Sequence, residues 1–139
     1  MTAARCLTAE EVQGRIDGTP FFCWLGVRAK TVTPKRIVLT ADTAAEMFGN
    51  PEVGAVHGGV FASLIEIACS YTVIAPTART AATVDLRVDY HRPGIGSHFT
   101  VAATPIRRGR TVTLSEAQVM DDHGRVVASG RAMMIQRAD

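Results

Sequence analysis

The chain has 139 residues, of which 47% are hydrophobic, a size that suits one domain with its own core rather than two. We therefore expect a single domain over residues 1–139. Its 15 Lys and Arg side chains against 13 Asp and Glu give a net charge of +2. This balance argues against a broad electrostatic surface for nucleic acid or for an anionic membrane. Any anionic partner should be small and locally bound.

The cysteines Cys6, Cys23 and Cys69 form an odd set without a C-x-x-C spacing. This pattern argues against a disulfide framework or a zinc site, and it favours a reducing cytoplasm with no metal or redox cofactor. Residues 1–11 lack the apolar stretch of a signal peptide, and no uninterrupted run reaches the roughly 20 apolar residues of a spanning helix. We expect an unprocessed cytoplasmic protein. A nucleophilic Cys69 is disfavoured because no histidine is near it in sequence.

The first predicted elements are a short helix and a hairpin. Thr8 and Glu11 have the spacing of a capping box, which predicts an amphipathic helix ending near Gly18. The aromatic and β-branched residues of 21–32 predict a strand, and a second strand is predicted at 37–40 after a turn.

The next predicted element is an irregular connection. Asn50-Pro51 and Gly54 mark it over residues 41–56, with a helical turn around residues 44–48.

One long helix and a series of strands are predicted in the rest of the chain. Residues 58–75 are the only long helix candidate, and residues 82–90 alternate between apolar and polar as in a strand with one buried face. The residues expected on that buried face are Ala82, Val84, Leu86, Val88 and Tyr90. Further strands are predicted at 97–106, 110–120 and 125–136, in an antiparallel meander. One apolar helix beside about six strands is buried only if the sheet curls around it, so we predict an α+β wrap.

Glu66 is the only charged residue of the predicted helix. At helical spacing, the side expected to face the sheet carries Phe61, Leu64, Ile65, Ala68 and Thr72. Glu66 shares its own side mainly with small residues, namely Gly59, Ala62, Ser63, Cys69, Ser70 and Val73. A buried carboxylate needs partners or a shifted pKa, which makes Glu66 a candidate functional group. The alternative is that Glu66 points to water along a narrow exposed stripe.

Gly58 and Gly59 open the predicted helix without side chains that would block its free N–H groups. Such a helix start suits the binding of a carbonyl oxygen that becomes negative. Eight residues separate Gly58 from Glu66, about 12 Å along a helix axis, so one helix cannot easily aim both at one carbon. Two antiparallel copies across a twofold axis could do so, which predicts a dimer with two equal sites. The alternative is that the glycines serve a tight turn or close packing, with His57 as a helix cap.

The residues around this helix start resemble a known family. The stretch from Asn50 to Glu66, with His57-Gly58-Gly59 and an acid nine residues after the histidine, is similar to the signature of hotdog-fold acyl-CoA thioesterases of the phenylacetate-pathway and 4-hydroxybenzoyl-CoA thioesterase type. Further matching segments are 83–86, 90–93, 108–110 and 124–128, and the resemblance covers residues 22–135. It implies a hotdog fold, in which a curved antiparallel sheet wraps around one long central helix, with a short N-terminal helix added.

The resemblance also implies roles for individual residues. The Gly58 N–H would polarise the thioester carbonyl, and Glu66 of the facing subunit would act as nucleophile or as general base on water. Asn50 and Ser70 match positions that hold the carbonyl, water or substrate. Positions implied on the substrate and CoA side are His57, Gly59, Thr83, Arg92, Arg107, Arg108 and Arg110.

Three functions are compatible with this pattern. The first is hydrolysis of acyl-CoA, without cofactor, in a homo-oligomer whose minimum unit is a dimer and which we expect to be a tetramer. Glu rather than Asp at position 66 resembles branches that act on aromatic acyl groups, so aryl-CoA is favoured, with medium-chain acyl-CoA beside it. The second is a hydratase or dehydratase, which the His57-to-Glu66 spacing disfavours. The third is a non-catalytic module that binds acyl-CoA.

Overall fold

The computed structural model of the protein describes residues 5–137. The ends of the predicted domain, residues 1–4 and 138–139, lie outside the described residues. The helices are α1 (Ala9–Asp17), α2 (Pro20–Trp24) and α3 (Gly58–Thr77), with a 3-10 turn at Ala45–Met47. The strands are β1 (Val27–Thr33), β2 (Arg36–Asp42), β3 (Phe48–Asn50), β4 (Ala55–Val56), β5 (Ala81–Tyr90), β6 (His98–Arg108), β7 (Val112–Met120) and β8 (Val126–Gln136).

Six strands form one antiparallel sheet in the order β1-β2-β6-β7-β8-β5. The predicted hairpin of β1 and β2 and the meander of β6, β7 and β8 are confirmed. The position of β5 in the strand order differs from the prediction, because a meander would pair β5 with β6. Instead β5 pairs with β8 at the edge of the sheet, with Leu86 opposite Ala132.

The predicted N-terminal helix is confirmed together with its cap. The Thr8 N–H donates to Glu11 Oε2 at 2.8 Å, and the Glu11 N–H donates to Thr8 Oγ1 at 3.2 Å. Both bonds of a capping box are therefore present, and the helix ends at Gly18.

The strand predicted at residues 21–32 is wrong in its first half. Pro20 occupies the first turn of α2, where its missing N–H costs nothing, and the Phe22 and Cys23 N–H groups donate to the Thr19 carbonyl. Gly26 then turns the chain at φ +66°, with no room for a side chain against the Asp42 carbonyl. The strand therefore begins only at Val27.

The connection at residues 41–56 contains more order than predicted. The helical turn near residues 44–48 is confirmed as the 3-10 turn. Beyond it, β3 and β4 form a small antiparallel pair that the sequence did not indicate. The His57 N–H donates to the Met47 carbonyl at 2.8 Å, which ties this segment to the start of α3.

Helix α3 lies in the concave face of the sheet and forms the centre of the core. The side predicted to face the sheet is buried, and the sheet contributes buried residues such as Leu39, Phe99 and Met134. The Phe61 and Phe99 rings meet edge to face at 4.9 Å between centroids. By length and composition α3 would also qualify as a membrane span, but most of its residues are buried inside the protein. Its apolar character is thus explained by its place in the core.

The face of β5 differs from the predicted alternation. A bulge lies between Thr83 and Asp85, so the alternation of side chains shifts within the strand. Leu86 and Val88 are half-buried as expected, whereas Val84 is 52% exposed and Tyr90 is 55% exposed. The bulge also turns Thr83, predicted to face outward, into the concave side, where its hydroxyl meets α3.

Candidate active site

Glu66 lies in the middle of α3 and is half-buried. Its Oε1 accepts a hydrogen bond from Ser70 Oγ at 3.2 Å, one turn further along the helix. The same oxygen accepts a hydrogen bond from Thr83 Oγ1 on β5. The alternative of a glutamate that simply points to water therefore does not describe this side chain, which has two fixed partners.

The two hydroxyl groups share a second neighbour, the thioether of the buried Met134. Its Sδ lies 3.3 Å from Thr83 Oγ1 and 3.7 Å from Ser70 Oγ. Sulfur is a weak acceptor, so the carboxylate is the stronger acceptor for both hydroxyl protons. Both bonds end on Oε1, which leaves Oε2 of Glu66 outside them. The arrangement therefore holds the carboxylate through one of its two oxygens.

The first turn of α3 provides a free backbone donor. His57 is the N-cap residue, and its Nδ1 accepts the Gly59 N–H at 2.9 Å. The Val60 N–H donates to the His57 carbonyl at 2.9 Å. Within residues 5–137 the Gly58 N–H has no acceptor. The amide available to a carbonyl oxygen is therefore that of Gly58, whereas that of Gly59 is already bonded.

Tyr90, at the end of β5, packs directly on Gly58. Its hydroxyl donates to the Gly58 carbonyl at 2.8 Å, and a Cβ on Gly58 would lie 2.9 Å from the ring. This contact gives a physical reason for glycine at position 58 and steadies the first turn of the helix. Sequence reasoning placed Tyr90 in the buried face of a strand and in the matching segment 90–93, but gave it no role at the site. The one available signal was an aromatic residue directly before His91-Arg92-Pro93.

A groove of about 450 Å³ runs past this helix start. Its walls bring together Asn50, His57, Gly58 and Arg92, with Tyr90 between them. Four of the predicted site residues therefore share one surface, although they come from three separate segments of the chain. The Asn50 side chain is also engaged locally, because its Oδ1 accepts the Glu52 N–H at 3.2 Å.

The other predicted arginines lie elsewhere. Arg107 and Arg110 are exposed around the turn between β6 and β7. Arg108 is also exposed as a whole residue, but its guanidinium is partly covered, because Nη1 donates to the Thr72 carbonyl at 2.7 Å and Nη2 donates to the Pro34 carbonyl. Burial lowers the pKa of this guanidinium. Arg108 thus ties the far end of α3 to the sheet, about 20 Å along the helix from Gly58.

Cys69 is buried beside the site. Burial, and next the charge of Glu66, raise the pKa of its thiol to about 12. The thiolate needed for nucleophilic attack is therefore scarce at neutral pH. This agrees with the sequence analysis, which disfavoured Cys69 as a nucleophile.

Glu66 and Gly58 lie at different places along α3. The groove that contains Gly58 includes no part of Glu66. Glu66 instead lies beside β5, one of the two edge strands of the sheet. The separation expected from the eight-residue spacing is present in the folded chain.

Comparison with known proteins identifies the family. Residues 53–128 match the thioesterase superfamily. The medium/long-chain acyl-CoA thioesterase YigI of Escherichia coli (strain K12) is 27% identical over 81% of this chain and 83% of its own. A solved thioesterase-superfamily protein is 32% identical, with a TM-score of 0.89 over 93% of this chain and 98% of its own. The E. coli PaaI protein of the phenylacetic acid degradation operon has the same fold, with a TM-score of 0.84 at 19% identity, over 93% of this chain and 92% of that one.

The chain therefore belongs to the thioesterase superfamily. The sheet wrapped around α3 is its hotdog fold, as the resemblance of the helix start implied. The family's reaction is thioester hydrolysis, so we interpret the positions of Glu66 and Gly58 in terms of that reaction.

Proposed function

We propose that this protein hydrolyses acyl-CoA thioesters, with aryl or medium-chain acyl groups, to the free acid and CoA. The observation that carries the proposal is the carboxylate of Glu66, one oxygen of which is held by two hydroxyl groups, while within residues 5–137 no hydrogen bond is seen to the other. The family match and the acyl-CoA activity named for the YigI relative support the same reaction.

The Gly58 N–H is the donor that we assign to the thioester carbonyl. At the N-terminus of a 20-residue helix, this amide adds the positive end of the helix dipole to a hydrogen bond. Both interactions strengthen as the carbonyl oxygen becomes negative in the transition state. Gly58 thereby lowers the barrier rather than only binding substrate.

Glu66 Oε2 supplies the chemistry at the carbonyl carbon. As general base it takes a proton from water while the water oxygen attacks the carbon, and the carbon–sulfur bond then breaks. The proton passes to the CoA sulfur, which leaves as the thiol. As nucleophile, Glu66 would instead attack the carbonyl carbon, and the carbon–sulfur bond would break as CoA leaves as the thiolate, which takes a proton from water. Water would then hydrolyse the resulting anhydride to the free acid and restore the carboxylate of Glu66. The positions of Ser70 and Thr83 serve either route, because both hold the carboxylate still.

The complete site is proposed to form between two subunits. Gly58 of one chain and Glu66 of another would meet across a twofold axis, which gives two sites in a dimer and makes the dimer the minimum active unit. A homotetramer in the cytoplasm is the assembly that we propose. Asn50, His57 and Arg92 would contact substrate in the groove, and Gly59 would support His57. Arg107 and Arg110 remain proposed contacts for CoA phosphates, whereas the two carbonyl contacts of Arg108 argue for a structural role.

Release of free thiol from benzoyl-, phenylacetyl- and hexanoyl-CoA tests the proposal. Glu66→Gln keeps the shape of the side chain but removes its charge and basicity, so kcat should fall by about 10²- to 10⁴-fold. Glu116→Gln is the matched control, since Glu116 is exposed on the outer face of the sheet in a 3.9 Å ion pair with Arg131. That variant should keep full activity.

Full activity of Glu66→Gln would remove Glu66 from the mechanism. Binding of acyl-CoA without thiol release from any of these substrates would favour a non-catalytic module. Hydration of crotonyl-CoA without thiol release would favour a hydratase.

A further inference from the structure

A second cavity lies beside α3, on the other side of the helix start from the groove. We call it the α2 chamber, and its volume is about 320 Å³. Leu25, Met47 and Val60 form its interior and are each 6% exposed or less. Phe21 and Trp24 of α2 form one wall. The chamber is therefore apolar in its depth.

The aromatic wall consists of side chains that the core does not use. Phe21 is 50% exposed and Trp24 is 48% exposed, and their rings stack with centroids 6.2 Å apart. The two residues are three positions apart and share one face of α2, whereas Phe22 packs against the core. Exposure of two large rings is costly in water, so this face of α2 is suited to an apolar ligand.

Two polar groups of the α2 chamber are already bonded within the chain. Ser63 Oγ already donates to the Gly59 carbonyl at 2.8 Å, and His57 Nδ1 already accepts the Gly59 N–H. Glu46 is exposed at the rim, where its charge disfavours an acyl group that ends in a carboxylate. A hydroxyl carried into the depth of the chamber would lose its hydrogen bonds with water without replacement.

The α2 chamber adjoins the groove of the proposed site at His57. His57 lines both cavities, whereas Gly58 lines the groove and Gly59 lines the chamber. A thioester whose carbonyl oxygen meets the Gly58 N–H therefore has an apolar cavity on one side. On its other side lies a groove that contains Arg92. The two halves of an acyl-CoA differ in the same way, since one is apolar and the other carries phosphates.

We infer that the α2 chamber binds the acyl group, that its preferred occupant is an unbranched medium-chain fatty acyl group rather than a hydroxyaryl group, and that Trp24 limits the chain length. The inference rests on the proposed function, because it places the acyl group relative to Gly58. It assigns specificity to α2, a helix without a role in the chemical step.

Trp24 is the only tryptophan of the chain, so its fluorescence reports on the α2 chamber directly. The Glu66→Gln protein is titrated with octanoyl-CoA and, separately, with CoA, and binding of each is measured in parallel by calorimetry. Octanoyl-CoA should shift the Trp24 emission to shorter wavelength, and CoA should not. Binding of octanoyl-CoA without any change in emission would place the acyl chain elsewhere and overturn the inference.

Chain-length profiles test the role of Trp24 in specificity. Wild-type protein should hydrolyse octanoyl-CoA with a higher kcat/KM than 4-hydroxybenzoyl-CoA. In Trp24→Ala and the milder Trp24→Leu, the ratio of kcat/KM for dodecanoyl- over hexanoyl-CoA should rise by about tenfold, because even one methylene group changes discrimination by that factor in an apolar pocket. Ile106→Ala, which truncates an exposed apolar residue on β6, is the control and should leave the ratio unchanged.

The outcomes separate this inference from the proposed function. Thiol release by the wild type with an unchanged ratio in both folded Trp24 variants, or with 4-hydroxybenzoyl-CoA preferred, would overturn the inference and leave the proposed function standing. An absence of thiol release from every substrate would contradict the proposed function, while the fluorescence titration would still decide whether acyl groups enter the chamber.

Discussion

At the scale of single residues, the carboxylate of Glu66 owes its orientation to two hydroxyl groups from different elements. Ser70 is placed one helical turn away by sequence alone, so its contact could be anticipated from the spacing. Thr83 reaches the same oxygen because of the bulge in β5. A bulge leaves little trace in a single sequence. The acid was therefore predictable, but the geometry of its second partner was not.

Thr83→Val tests whether this second hydroxyl positions the carboxylate. Valine keeps the shape of threonine but donates no hydrogen bond, so kcat should fall by about tenfold, the equivalent of one hydrogen bond to a charged group, with little change in KM. Steady-state thiol-release kinetics measure both constants, and Thr83→Ser should restore kcat. A purely structural role would instead lower thermal stability in Thr83→Val without separating kcat from KM.

At the scale of elements, the start of α3 is set by packing as much as by its own sequence. The residues that cap it and hold it in place are His57, directly before α3, Tyr90 of β5 and Met47. The boundaries of α3 could be predicted from its apolar run. Those of the last three strands could be predicted from the alternation of apolar and polar residues and from the turn residues between them. Helix α2 was missed because the aromatic residues Phe21–Trp24 favour a strand, and only Pro20 indicated a helix start.

Two glycine substitutions test this packing. The Gly94 backbone passes so close to Phe61 that a Cβ would lie 2.1 Å from the ring. Because Phe61 is only 2% exposed and cannot easily move, Gly94→Ala should lower the free energy of unfolding by about 1–3 kcal/mol.

Gly14, on the exposed side of α1, has open space where a Cβ would lie, with no neighbouring atom within 4 Å. Gly14→Ala should therefore raise stability by up to about 1 kcal/mol.

Thermal melts at one protein concentration compare the two variants. A Tm of Gly94→Ala at or above that of the wild type would show that the segment around Gly94 moves away from α3 without cost. The contact between Phe61 and Gly94 could not be foreseen, because Pro93-Gly94 indicated only the end of a strand.

At the scale of the whole molecule, the chain leaves one side of its fold open. Strand β5 forms an edge of the sheet, and its Val84 and Tyr90 are both more than half exposed. Unpaired edge strands favour pairing with another chain. Glu66 lies against this same strand, and Gly58 lines a separate cavity. The spacing of eight residues predicted this separation. In the proposed dimer, a second copy would pair at this open edge and bring the two groups together.

Mixed dimers test the shared site most directly. Gly58→Pro removes the N–H at the first helical position, where proline is tolerated, and Gly58→Ala is its control because it adds a Cβ against Tyr90 but keeps the N–H. A random mixture of equal amounts of Glu66→Ala and Gly58→Pro subunits should regain about a quarter of wild-type activity, since half of the dimers are mixed and each holds one intact site. Neither variant should be active alone. Mixed dimers, isolated through two different affinity tags, that remain as inactive as their parents would contradict a site built from Gly58 of one subunit and Glu66 of the other.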